Sequence, residues 1–344
     1  MKRTQRRRLM VAALLPMAML AAACGGAASP VSGGGPPAAP ARLSVELDWV
    51  PNPDHVALYY ARDKGAFARQ KLTVSLHTPS SAADPLKLVG LDKVDLAISY
   101  ESEMFYAEQE KLPVTAVATV VPVPLNSLIV APKDHVTRLS QLAGKKVGFS
   151  GIPSDFAFYH SMLKAAGLRA AQVPTESVGF NLVTSLLSGK VDAIIGGYRN
   201  VEAIQIEQQL HAKPAVFPAP ELGVPPYAEL VLVANRDRLA SDKAYANAVR
   251  RFVAALVGAT NAARKDPSGA TSIMEQASQY KVQFLQRSVP YTLSLLAPPP
   301  GLKTGCISEA SWQSFGNWMK RNRLIKITPD AGRISTDRYL PYRC

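Results

Sequence analysis

Ser127-Leu128-Ile129-Val130-Ala131 and Glu229-Leu230-Val231-Leu232-Val233-Ala234 decide how this chain is organised. Both are short apolar runs, and both read as buried strands. Before the first run, strands at Leu43–Leu47, Leu72–Leu76, Val94–Ile98 and Val114–Val121 alternate with helices at His55–Arg69, Pro85–Leu91 and from about Glu101. Between the runs a second cycle appears. It has a short helix at Leu139–Gly144, a strand at Lys145–Phe149, helices at Phe156–Ala166 and Asn181–Ser188, a strand at Val191–Gly196 and a helix at Val201–Gln209. After the second run the pattern turns helical, over Lys243–Arg264, Ser268–Gln279, Phe284–Leu295 and Glu309–Arg321. Such alternation implies an α/β class with parallel strands. If both apolar runs cross between the two units, the chain builds two lobes with a two-strand hinge and an interlobe cleft. Residues 42–130 plus 235–344 then form lobe one, and residues 131–234 lobe two. The alternative is two sequential domains with one linker, the late helices packing on the second.

The N-terminus reads as an export signal. Lys2, Arg3, Arg6, Arg7 and Arg8 precede the apolar run Leu9–Ala22, which is interrupted by Pro16. That run is too short for a comfortable membrane span. Residues 1–23 therefore read as a signal peptide. Leu20-Ala21-Ala22-Ala23-Cys24 resembles a lipobox, with Cys24 as the lipidated residue. Arg6-Arg7-Arg8-Leu9-Met10 leaves a twin-arginine route open beside the general one. Residues 24–41 are mostly Gly, Ala, Pro and Ser and read as a flexible tether. The expected location is extracytoplasmic, anchored by lipid to the outer face of the cell membrane.

The formal charge is +13, of which five charges lie in the leader. The other basic residues are scattered without a long run, so nucleic-acid binding is not expected. Of three cysteines, Cys306 and Cys344 remain once Cys24 carries lipid. In an oxidising compartment the two are candidates for a disulfide.

Four segments have the residue types of a binding site. Leu47-Asp48-Trp49-Val50-Pro51-Asn52-Pro53-Asp54-His55 lies at a strand end, where ligands bind in open α/β sheets. Trp49 offers a face for stacking, Asn52 a donor and an acceptor, and His55 a polar neighbour. Ser99-Tyr100-Glu101-Ser102-Glu103 follows a strand, and Glu101 can accept from a ligand's donors. Gly196-Gly197-Tyr198-Arg199-Asn200-Val201-Glu202 follows another, with Tyr198 to stack and Asn200 or Glu202 to read polar edges. Ser150 and Gly151 open a helix whose free N–H groups suit an anion or a polar oxygen. Each also has a structural reading: Trp49 as core, Asp54 and Asn200 as helix caps, the glutamates as helix-start charges. Catalytic and metal signatures are absent, with no His-Glu-x-x-His, phosphate loop or Gly-x-Ser-x-Gly elbow.

These segments, in this order, resemble the NMT1/THI5-like family, above all its exported substrate-binding lipoproteins for thiamine-pyrimidine precursors. The similarity runs from about residue 43 to 270. It rests on Leu47–His55, Lys93-Val94-Asp95-Leu96-Ala97-Ile98-Ser99-Tyr100-Glu101, Gly144-Lys145-Lys146-Val147-Gly148 and Gly189-Lys190-Val191-Asp192-Ala193 through Glu202. The resemblance implies a type II periplasmic-binding-protein fold. It also implies a formylaminopyrimidine or related heteroaromatic ligand, an ABC permease as partner, no cofactor and no catalysis. Trp49 would stack on the ring beside Asn52. Tyr100 and Glu101 would line the same lobe, and Tyr198, Asn200 and Glu202 would close from the other. Arg199 departs from the aromatic often found there, which leaves riboflavin, a purine-like ring or an alkanesulfonate-type ligand as alternatives. The family also contains pyrimidine synthases. Their essential Lys and His would fall in Ser99–Met104, which contains neither.

Overall fold

Ten strands among the described residues, 39–344, form two five-stranded sheets in this computed structural model. The leader and Cys24 lie outside those residues, as does the tether up to residue 38. The strands are β1 (Ala41–Glu46), β2 (Leu72–His77), β3 (Leu96–Ser99), β4 (Val114–Val121), β5 (Asn126–Val130), β6 (Val147–Phe149), β7 (Thr175–Ser177), β8 (Ala193–Tyr198), β9 (Ala215–Pro218) and β10 (Leu230–Asn235). The first sheet runs β2-β1-β3-β10-β4 and the second β7-β6-β8-β5-β9. In each, the strand nearest the crossing is antiparallel to both neighbours: β10 to β3 and β4, β5 to β8 and β9. This is a two-lobe, type II periplasmic-binding-protein fold.

The lobe boundaries need correcting. Lobe one was expected to run to residue 130 and lobe two to 234, but β5 lies in the second sheet and β10 in the first. The chain crosses earlier on both passes, through Pro122–Leu125 and through residues 219–229. Pro122, Pro124, Pro225 and Pro226 lie in these crossings. Proline has no N–H to extend a ladder, so the strands stop there. The tether also ends sooner than expected, because Ala41 already pairs with Leu72 in the first sheet.

The helices after β10 belong to the first lobe. Val249, Phe252, Val253 and Leu256 of the helix Lys243–Ala263 share a buried cluster with Leu43, Val45 and Leu58. The helix expected over His55–Arg69 is broken into a 3-10 turn Pro53–His55 and helices Val56–Asp63 and Ala66–Arg69. Gly65, at φ +70, makes the second break. Cys306 and Cys344 form a disulfide. Beside it the Thr119 N–H donates to the Gly305 carbonyl at 2.8 Å, and Thr119 Oγ1 to the Cys306 carbonyl at 2.9 Å. The C-terminal segment is thereby tied to β4. The lobes also share core: Ile152, Val201 and Ile204 of lobe two pack into the lobe-one cluster.

Candidate functional site

The lobe-one wall forms where β1 ends. Pro51 and Pro53 force the chain to turn around Asn52, whose Oδ1 accepts the Asp54 N–H at 2.8 Å and caps the 3-10 turn. The Asn52 N–H donates to His55 Nδ1 at 3.2 Å. That leaves the ring proton on Nε2, which donates to Asp48 Oδ1 at 2.8 Å. The Tyr100 hydroxyl donates to the other oxygen, Asp48 Oδ2, at 3.0 Å. Asp48 and His55 are buried. The wall is therefore braced from within its own lobe.

The lobe-two wall is built around two carboxylates. Asp155, on the helix Pro153–Ala165, accepts from Ser150 Oγ at 2.7 Å and from Asn126 Nδ2 at 2.6 Å. It presses on Gly196 of β8: a Cβ there would stand 2.3 Å from Asp155 Oδ2. Gly196 also has φ +86, so both space and backbone call for glycine. Glu202 opens the helix Glu202–Leu210, and its Oε2 accepts the Tyr198 N–H at 2.7 Å. The Tyr198 hydroxyl reaches Glu229 Oε1 at 3.2 Å. Glu229 Oε2 accepts the N–H groups of Leu125 and Asn126 at 2.6 and 2.9 Å, which joins the two crossings.

The walls meet at a cavity of about 20 Å³, room for roughly one water. Lobe one lines it with Asp48, Trp49, Asn52 and Tyr100. Lobe two lines it with Ile152, Asp155, Gly196, Tyr198, Val201 and Glu202. Trp49 is half-buried and meets the edge of Phe180 from lobe two, with centroids 4.5 Å apart at 83°. A larger open groove of about 1110 Å³ lies between the helices Glu202–Leu210 and Val282–Leu295. Its walls are mostly polar, with exposed Gln209, Lys213, Gln279, Lys281 and Gln283 beside Tyr280 and the buried Phe284.

Of the sequence candidates, Trp49, Asn52, Tyr100, Tyr198 and Glu202 border the cavity. The others stand behind it. His55 braces Asp48. Glu101 accepts the Ala228 N–H at 2.7 Å, in the return crossing. Ser150 holds Asp155, and Gly151 is an exposed turn at φ +102. Asn200 is fully buried and bridges the lobes, its Nδ2 donating to Asp54 Oδ1 at 2.7 Å and to Thr292 Oγ1 at 2.8 Å. It does not cap the following helix, as the sequence had allowed. The anion site suggested by Ser150 and Gly151 is already filled: the Ser154 N–H of that helix donates to Glu103 Oε1 of lobe one at 2.9 Å. Asp48 and Asp155 were not singled out, because each reads as an ordinary strand-end or helix-start acid. The one signal was Gly196, whose bare Cα marks a close neighbour.

The site is acidic and dry. Burial pushes the carboxyls of Asp54, Asp155 and Glu202 up to about 7. Burial also raises Glu101 and Glu229. No Lys or Arg borders the cavity. Arg199 turns away and donates to the Pro124 carbonyl. Among the described residues no group of three His, Cys, Asp or Glu is arranged to hold a metal ion.

A family model described as NMT1/THI5 like matches residues 52–270. A Haemophilus influenzae protein named for thiamine biosynthesis is 34% identical over 83% of this chain and 89% of its own length. The formylaminopyrimidine-binding protein of Halalkalibacterium halodurans is 30% identical over 86% of this chain and 90% of its own. A Saccharomyces cerevisiae 4-amino-5-hydroxymethyl-2-methylpyrimidine phosphate synthase is 25% identical over 66% of this chain and 68% of its own. In structure, the chain resembles the alkanesulfonate-binding protein of Xanthomonas axonopodis pv. citri with a TM-score of 0.66 at 16% identity, over 87% of this chain and 99% of that one. That likeness concerns the fold. The match over residues 52–270 and the two relatives at 30% identity or more, each aligned along most of its length, establish that this chain belongs to the NMT1/THI5-like family.

Proposed function

We propose that the cleft captures a small, flat heteroaromatic bearing N–H donors, of the formylaminopyrimidine type, and releases it unchanged. The carrying observation is the lining: three aromatic side chains, Trp49, Tyr100 and Tyr198, and three carboxylates, Asp48, Asp155 and Glu202, face one cavity from both lobes. A π-face suits the aromatics, and amino hydrogens suit acceptor-only carboxylates. The cavity of about 20 Å³ is smaller than such a ring, so the lobes must part to admit it and close over it. The binding-protein relative supports the same ligand class.

An anionic ligand, such as the sulfonate of the fold neighbour, fits this lining poorly. It would face three carboxylates without a cationic partner among the lining residues, and the helix start at Pro153 already holds Glu103. A synthase reading draws on the yeast relative. Against it, Ser99–Met104 offers neither Lys nor His. The leader, Cys24 and the Gly/Ala/Pro tether further support a lipid-anchored binding protein serving an ABC permease. Calorimetry of ligand-stripped protein against a panel of aminopyrimidines tests the binding claim; silence with all of them removes it. Incorporation of radiolabelled fatty acid, absent in Cys24→Ser, tests the anchor.

A further inference from the structure

The charges around the cavity do not balance. Asp48, Asp155 and Glu202 line it, with Asp54 and Glu229 buried close behind. The nearest bases are spent elsewhere. His55 is tied between the Asn52 N–H at Nδ1 and Asp48 at Nε2, and Arg199 donates to the Pro124 carbonyl. The three lining carboxylates are not equivalent. Asp48 has a donor on each oxygen, from His55 and Tyr100, and Asp155 likewise from Ser150 and Asn126. Glu202 has the Tyr198 N–H on Oε2 and otherwise borders the cavity.

We infer that the cleft takes its ring ligand as a cation, protonated on a ring nitrogen, with Glu202 as the counter-ion. The inference rests on the aminopyrimidine reading above and adds the charge state of the ligand. The proton ends on the ring nitrogen, passed from the Glu202 carboxyl where that group holds one and taken from solvent where it does not; the ring N–H then donates to the Glu202 carboxylate, and no other bond forms or breaks. The acids around Glu202 favour that proton, against the Tyr198 N–H and the start of its own helix, which favour the bare carboxylate. Asp48 and Asp54 face it from the turn after β1 and Asp155 from the helix Pro153–Ala165, all acids. Tyr280 adds a phenol from the segment before the helix Val282–Leu295. Burial pushes the Glu202 carboxyl up to about 7, so the empty site already draws a proton near neutrality. The faces of Trp49 and Tyr198 also prefer a cationic ring to a neutral one.

The test is the ultraviolet spectrum of a bound 4-aminopyrimidine at a pH where the free compound is neutral. The expected result is the absorption of the cation in the wild-type complex. With Glu202→Gln, which keeps the shape, the spectrum should return to neutral and affinity fall by roughly thirty-fold or more, the cost of leaving one partner of a buried pair. Calorimetry at a pH of about 8, above the value of about 7 to which the Glu202 carboxyl is raised, in two buffers of different ionisation enthalpy should find proton uptake by the wild type, independently of whether the variant folds. Tight binding with a neutral spectrum overturns the cation and leaves the pyrimidine reading standing. Binding of a permanently charged N-methylated aminopyridinium, with no aminopyrimidine bound, keeps the cation and removes the pyrimidine. If neither ring binds, both fall.

Discussion

The two walls of the cleft are braced in opposite ways. In lobe one, Asn52, His55, Asp48 and Tyr100 form a continuous chain of hydrogen bonds inside a single lobe. In lobe two, the segment 198–202 reaches outward. Asn200 bonds to Asp54 and Thr292 of lobe one, and Tyr198 to Glu229 in the return crossing. The bracing bonds of the first wall need no partner from the other lobe. Part of the second is completed by closure. On the proposed function, a ligand would meet the braced platform carrying Trp49 before the second lobe closes on it. Such a division suits a binding protein, whose closed form must differ from its open form by a few interactions of moderate strength.

The largest effect should come from breaking the self-braced wall. Asp48→Ala strips partners from the buried His55 Nε2–H and Tyr100 hydroxyl, at a cost of about 1–3 kcal/mol for each group left unsatisfied. Denaturant unfolding should register this loss without ligand present. Next in size is Trp49→Ala, which should weaken ring binding by ~1–3 kcal/mol, the range for aromatic stacking on a base. Its calorimetric signature is lost affinity for aromatic ligands with the fold intact. Unchanged affinity would return Trp49 to a packing role against Phe180.

Asn200→Ala should act on closure alone. It removes the bridge to Asp54 and Thr292, worth about 0.5–1.5 kcal/mol per hydrogen bond. Affinity should drop by the same factor for every ligand that closes the cleft, and small-angle scattering should find more open protein. A ligand-dependent loss would instead put Asn200 in contact with the ring.

The buried acids of both walls add a pH dependence. Asp54 and Asp155 ordinarily ionise near 3.8 and Glu103 and Glu202 near 4.5, but burial lifts all four to about 7. The folded chain therefore holds more protons than the unfolded one between about 4 and 7. For these groups stability is full below the unfolded values and is lost as pH rises through 7. Thermal unfolding at a pH of about 5.5 should occur at higher temperature than at about 8, and Asp155→Asn should flatten the difference. A midpoint that rises with pH would contradict the burial of these acids.

The fold was legible because its signals are periodic. Buried β4 and β10 read as mostly apolar runs, interrupted in β4 only by Thr115 and Thr119, and the helices kept their faces. The lobe boundaries were misplaced because an apolar run marks a buried strand without saying which sheet accepts it. The short β7 and β9, three and four residues long and half-exposed, offer too little pattern for a period to register. In the site, aromatic and amide residues at strand ends were conspicuous. Asp155 was not, because an acid in the first helical turn is commonplace. Its role depends on Asn126 and Gly196, which come from different strands. Asn200 was visible, but sequence cannot separate a residue that touches ligand from one that touches the opposite lobe, and its Nδ2 bonds to Asp54 and Thr292.

Titration calorimetry of ligand-stripped protein with a formylaminopyrimidine, set beside an alkanesulfonate, bears most directly on the account. The expected outcome is saturable binding of the pyrimidine, weakened in Trp49→Ala, and no heat from the sulfonate. Binding of the sulfonate with silence from the pyrimidine would contradict it.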